Sequence, residues 1–203
     1  MLVRLSVIEQ RMRENRKAGG NHRVLFLDFD GVVNVPYQYG TPEYEDALSR
    51  GVYDFFRPEI TQRLNKLIHD YQLSVVISSS WRTMGVKFCQ NSLLEAGFDP
   101  DVIIEGTTDV NSFEPRHEEI LSYLEEHPDI TAFLILDDIP MKELSSYAVE
   151  TVFDEGYTEA CDKRARTILD RQMKERVSPT RYLCIGIVVL LLILIVVKMC
   201  GCF

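Results

Sequence analysis

Two carboxylates set two positions apart, Asp28 and Asp30, follow the apolar run Val24–Leu27 and precede Gly31. A carboxylate can attack phosphorus once a metal ion suppresses the repulsion between two anions, and a second carboxyl close by can move the proton. A further acidic pair, Asp137 and Asp138, ends the apolar run Phe133–Leu136, and a hydroxyl triplet, Ser78 to Ser80, ends the run Val75–Ile77. Donors made only of oxygen select a hard cation such as magnesium, which takes one or two carboxylates and keeps several waters. Each feature also has a plainer reading, with Asp28 and Asp30 as a capped turn and the serines as a helix-capping loop. The chemical reading requires the three clusters to meet.

The pattern of elements brings them together. Val24–Leu27 reads as a buried parallel strand, and Pro58 opens a helix with Ile60, Leu64, Leu67 and Tyr71 at helical spacing after an irregular, Pro- and Tyr-rich stretch. A strand over Leu73–Ile77, a helix over Val86–Ala96 and a strand over Val102–Glu105 follow. Next come a helix from Arg116 with Ile120, Leu121 and Leu124 on one face, then strands over Ala132–Leu136 and Ala148–Phe153. Thr158 is placed to cap a last helix running to Met173. Strands alternating with helices predict a parallel, right-handed, three-layer α/β/α sheet. Such sheets bind ligands at the carboxyl ends of the strands, where the strand order reverses, and all three polar clusters fall at strand ends.

With VLFLDFDGVVN at Val24–Asn34, a strand ending in Ser78 and another ending in Asp137–Asp138, the chain resembles the haloacid dehalogenase superfamily from Arg23 to Leu169. Its Asp-Gly-Val-Val-Asn, Ser-Ser-Trp-Arg and Gly-Tyr-Thr segments look most like small members related to domains in RNA-repair proteins. The resemblance implies a Rossmann-like fold and a magnesium-dependent phosphomonoester hydrolase. In that reading Asp28 is the nucleophile that forms an aspartyl-phosphate, Asp30 the acid/base, and the Ser78 hydroxyl holds a phosphoryl oxygen. Magnesium would sit on Asp28, the main-chain carbonyl of Asp30, and Asp137 or Asp138. A basic residue must offset charge near the nucleophile, and Arg116 is preferred over Lys87. Ser79 and Arg82 are expected to contact substrate beside the aromatic face of Trp81. A catalytically idle scaffold on the same fold is the competing reading, and phosphotransfer to an acceptor other than water a third.

The 203 residues hold one α/β domain, placed at residues 23–175, plus attachments. A net charge of −9 excludes a broadly basic nucleic-acid surface. Positive charge gathers in Arg4, Arg11, Arg13, Arg16, Lys17 and Arg23, so residues 1–22 are expected as a basic, amphipathic, surface-facing arm, solvated or touching anionic lipid or RNA. The five cysteines are odd in number and scattered, which predicts neither a disulfide partner nor a zinc site, and the histidines His22, His69, His117 and His127 lack metal-ligand spacing. Tyr37, Tyr39 and Tyr44 read as loop packing. After a linker over residues 176–181, the uncharged apolar run Tyr182–Val197 between Arg181 and Lys198 predicts a single-pass transmembrane tail anchor at 182–199, with the catalytic domain in the cytosol. Neither 34–73 nor 116–132 leaves room for an inserted cap domain. The open site this implies favours a phosphorylated macromolecule, a phosphoprotein or a nucleic-acid end, over a small metabolite.

Overall fold

A computed structural model of the protein describes residues 2–49, 55–110 and 113–174. Five short runs rich in β-branched, leucine and aromatic residues form β1 (His22–Leu27), β2 (Ser74–Ile77), β3 (Ile104–Thr107), β4 (Ile130–Asp137) and β5 (Ala148–Glu150). They pair in parallel in the order β3-β2-β1-β4-β5. β4 is buried along its whole length. A strand covered on both faces has no reason to alternate apolar with polar residues, which is why these runs are continuously apolar.

Successive residues still point to opposite faces, and two cores result. Leu25, Leu27, Leu134 and Leu136 pack with α3 (Pro58–Tyr71), α4 (Val86–Glu95) and α6 (Glu159–Lys174). Val24, Phe26, Phe133 and Ile135 pack with α1 (Leu2–Lys17) and α5 (Arg116–Glu126). Phe26 meets Tyr123 and Phe133 edge to face at 5.4 and 6.1 Å, arrangements that add about 0.5–1.5 kcal/mol each beyond burial. The three-layer α/β/α architecture expected from the alternation is the one that forms.

Several boundaries move for local reasons. β5 stops at Glu150 rather than Phe153 because Glu155 and Gly156 both donate their N–H to the carbonyl of Val152 at 2.8 Å, which curls the chain. Gly156 has φ +68°, and a Cβ there would lie 2.4 Å from Val35 Cγ2, so no other residue fits the turn. β3 starts at Ile104, two residues late, because Val102 is held in a turn by Asp99. Thr158 does cap α6, accepting from the N–H of Cys161 at 3.3 Å. The irregular stretch holds an unforeseen helix, α2 (Pro42–Ser49). Its entry signal was present in Thr41, whose hydroxyl accepts from Tyr44 N–H at 3.3 Å, with Pro42 and two glutamates behind it. With only Ala47 buried, no apolar stripe announced it.

The amino-terminal segment corrects its expectation. Instead of a solvated, surface-facing arm, α1 lies on β4 and α5 with Leu5, Ile8 and Met12 buried. Its basic residues serve this docking: Arg4 pairs with Glu118 and Glu125 at 2.7 and 2.8 Å, and Arg11 and Arg16 donate to the carbonyls of Leu124 and Thr131. Those three cations are therefore engaged within the domain. The expected tail anchor at 182–199 and its linker lie outside the described residues; among the described residues no helix is long and apolar enough to cross a membrane. Cys89 and Cys161 are free thiols.

At the amino end of the sheet, the His22 ring lies 2.8 Å from Asp129 and 2.9 Å from Glu105. Burial pushes its pKa down, but the hydrogen bonds to Glu105 and Asp129 together outweigh burial and leave it above the ordinary 6.5. A raised folded-state value stabilises below the unfolded pKa and loses that contribution as pH rises through the folded one. His22→Asn should therefore destabilise the fold by about 1 kcal/mol at a pH of about 6 and by progressively less toward a pH of about 9, read from urea midpoints. A loss that grows with pH would contradict the charged pairing.

Candidate active site

Strand register assembles the site. Leu27 at the end of β1 stands opposite Ile77 of β2 on one side and Leu136 of β4 on the other. The next residue on each strand is thereby brought level: Asp28 donates its N–H to Leu136 at 3.0 Å, and Ser78 donates its N–H to Leu27 at 3.1 Å. Asp28, Ser78 and Asp137 thus stand side by side where the strand order reverses about β1. Gly31 (φ +72°) then turns the chain back under β5, where Thr151 Oγ1 donates to the Gly31 carbonyl at 2.7 Å. A Cβ on Gly31 would meet Phe153 at 2.8 Å and Asp138 at 3.1 Å, so this turn tolerates only glycine.

Carboxylate oxygens of Asp28, Asp137 and Asp138 lie within 4.8 Å of one another. Arg116, the first residue of α5, reaches into this cluster with Nη1 2.7 Å from Asp137 Oδ2 and 3.3 Å from Asp28 Oδ1. The sequence preference for Arg116 over Lys87 fits this placement, since Lys87 lies exposed on α4. Ile139 N–H fixes the other Asp137 oxygen at 2.9 Å. The Ser79 hydroxyl hydrogen-bonds Asp28 and also accepts the Trp81 N–H at 3.3 Å, so it both touches Asp28 and caps the 3₁₀ turn Ser80–Met84.

Burial and like charge dominate the electrostatics. Asp28 is 5% and Asp137 1% exposed. Burial raises the Asp28 pKa above the carboxylate range, against the pull of Arg116 and of the Ser79 and Phe29 hydrogen bonds. Burial and the adjacent Asp28 push Asp137 up to about 7, and burial raises Asp138 as well. One guanidinium cannot balance three carboxylates, so the cluster gains from a further cation. The donor set fits magnesium, being all hard oxygen at strand-end positions. Ser78 Oγ is sealed and without a hydrogen-bond partner, a state that costs about 1–3 kcal/mol unless a ligand oxygen meets it.

Asp30 stands apart from the cluster of Asp28, Asp137 and Asp138, half-exposed, with both side-chain oxygens engaged. Asn34 Nδ2 donates to Oδ1 at 2.8 Å and Trp81 Nε1 to Oδ2 at 2.9 Å. Its side-chain oxygens are accordingly not among those of the aspartate cluster. Asn34 and Trp81 are the positioning residues that reasoning from sequence missed. Trp81 had been given to substrate, yet it lies stacked on Phe29 at 4.7 Å with its N–H turned inward. The expected substrate contact from Arg82 also needs correction. Its guanidinium is buried and donates to Glu119 at 2.8 Å and to the carbonyls of Ser78, Ser79 and Asp109, so it supports the serine loop from beneath.

A cavity of about 640 Å³ opens beside the carboxylates, walled by Thr83, Phe113, Arg116, Ile139 and Lys142. The Phe113 ring is fully exposed on its rim. No cap domain covers the site among the described residues. The 34–57 stretch contributes α2 and an aromatic packing of Tyr37 and Tyr44 on Phe55 at 5.9 and 6.4 Å, with Tyr39 on Tyr44 at 5.3 Å.

Comparison with curated proteins and with solved structures returned no match to the chain. A family profile does match, described as the HAD domain in Swiss Army Knife RNA repair proteins, over residues 24–161. That span exceeds half of the chain and contains Asp28, Asp30, Ser78, Arg116, Asp137 and Asp138. It points to a hydrolase, and it agrees with strand-end carboxylates gathered about one arginine. The chain therefore belongs to this family of HAD domains, and through it to the haloacid dehalogenase superfamily.

Proposed function

We propose that the protein is a magnesium-dependent phosphomonoester hydrolase that works through a phosphoryl group carried on Asp28. The observation that carries this reading is the meeting of Asp28, Asp137 and Asp138 around Arg116, next to a buried Ser78 hydroxyl that lacks a partner. Asp28, Asp137 and Asp138, with the Asp30 carbonyl, would hold the ion, whose charge offsets that of the carboxylates and the phosphate. An Asp28 oxygen attacks phosphorus and the bond to the leaving oxygen breaks, while Asp30 gives that oxygen its proton. Asp30 then takes a proton from water, which attacks phosphorus and frees phosphate and Asp28. Ser78 donates to a phosphoryl oxygen, and Arg116 stabilises the charge that builds up. Asn34 and Trp81 keep the Asp30 carboxyl aimed throughout.

The uncapped site favours a macromolecular phosphate. The exposed Phe113 ring, with Lys142 and Arg116 beside it, suits a stacked base followed by phosphate, and the family description adds weight to a nucleic-acid end over a phosphoprotein. The apolar run at 182–197 supports a single-pass membrane anchor, which would hold the domain at a cytosolic membrane surface.

Phosphate release should be measured on a phosphorylated oligonucleotide, a phosphopeptide and a sugar phosphate with and without magnesium. The oligonucleotide should turn over fastest, and Asp28→Asn should lose at least about 10³-fold. Metal-independent turnover, or turnover that survives Asp28→Asn, would defeat the mechanism; preference for the sugar phosphate would defeat the substrate assignment. Trp81→Phe keeps the stack on Phe29 but removes the donor to Asp30. It should lower kcat by about tenfold to a hundredfold with poor leaving groups and by less with good ones. Equal losses across leaving groups would remove Trp81 from any role through Asp30.

A further inference from the structure

Away from the aspartate cluster, His117 and Glu118 in the first turn of α5 face Glu143 in the 3₁₀ turn Lys142–Tyr147. One imidazole nitrogen and two carboxylate oxygens here lie within 4.8 Å of one another. Carboxylates crowd together on many protein surfaces, but two features set this group apart. His117 is 4% exposed, and among the described residues no hydrogen bond satisfies its ring: Nε2 lies 4.0 Å from Glu118 Oε1, too far for one. Glu143 Oε1 is sealed from solvent and has no hydrogen-bond partner either. Buried polar groups are ordinarily paired, so the sealed Glu143 oxygen, grouped with a nearly buried imidazole that makes no hydrogen bond among the described residues, calls for a missing partner.

We propose that His117, Glu118 and Glu143 form a second cation site, for a first-row transition ion of the zinc type. The imidazole makes the difference from the aspartate cluster, because nitrogen ligands suit zinc and its neighbours whereas sites made only of oxygen suit magnesium. Glu118 is already oriented for it. Its Oε2 is held by Arg4 Nη1 at 2.7 Å, which leaves Oε1 turned toward His117. An ion here would tie the first turn of α5, from which Arg116 reaches Asp28 and Asp137, to the turn that follows Asp138. It would thus brace the catalytic arginine from behind. The site stands on these residues alone and does not depend on the phosphatase reading.

The test uses the full chain in detergent, stripped of metal and then supplied with magnesium in excess to fill the aspartate cluster. Cobalt(II), a coloured stand-in for zinc, should bind at one equivalent with ligand-field absorption and be displaced by zinc. Glu143→Gln and His117→Gln should each weaken binding by about tenfold or more, the least that even outer-ligand changes cost at such sites. The double variant Asp28→Asn, Asp137→Asn should bind cobalt as the unmodified chain does. Zinc should also shift the His117 ring signals in the NMR spectrum of the unmodified chain, a readout that needs no substitution. The proposal is overturned if cobalt does not bind, if zinc leaves the His117 ring signals in place, or if binding follows the aspartates rather than His117 and Glu143.

Discussion

Three carboxylates forced together at the ends of two adjacent strands, with one guanidinium among them, form the constraint on which the rest of the structure turns. Ionised Asp28 and Asp137 repel each other, and burial removes the water that would screen them. Arg116 Nη1 lies within 3.3 Å of both and offsets only part of that charge. The arrangement persists because the sheet dictates it. Parallel pairing of β1 with β4, both buried, leaves Asp28 and Asp137 no choice of position. Chemistry is thus assembled against local electrostatic preference by the apolar residues of the strands behind it, each of which contributes about 1.5–3 kcal/mol when fully buried.

The same logic explains why the layer beneath α5 matters. Arg116 is aimed by α5, which packs beside α1 in the core on one face of the sheet. Ile120, Leu121 and Leu124 enter the core that Leu5, Ile8 and Met12 complete, while Arg4 bridges Glu118 and Glu125 on the outside. The amino-terminal helix therefore bears on the geometry of the aspartate cluster although it contributes no residue to it. On the other side of the cleft, Arg82 acts in a comparable way, buried under the serine loop and fastened to Glu119 of α5. Two arginines thus secure the helix and the loop that face each other across the cavity.

What could be read from the chain follows from which interactions are local. Continuous apolar runs ending in Asp, Ser and Asp placed β1, β2 and β4 and their carboxyl-end residues correctly, because strand burial and strand-end position are written in consecutive residues. The orientation of polar side chains is not. Arg82 and Trp81 looked like substrate contacts in sequence, and only the fold reveals that one is taken by Glu119 and loop carbonyls and the other by Asp30. The basic residues of α1 suggested a surface-facing arm because their partners, among them Glu118 and Glu125 for Arg4, lie more than a hundred residues away in the chain. Helix α2 buries too little to leave a periodic trace, and His117 shows no metal-ligand spacing in sequence because Glu143 is brought against it only by the fold.

The central claim is that the buried carboxylate beside Arg116 becomes the carrier of a phosphoryl group. Its most direct measurement is acid-quenched peptide mass spectrometry during turnover in magnesium. The account predicts a phosphoryl adduct confined to Asp28, sensitive to hydroxylamine as an acyl phosphate must be. Steady release of phosphate with no adduct at any quench time, or with the phosphoryl group on a different residue, would contradict it.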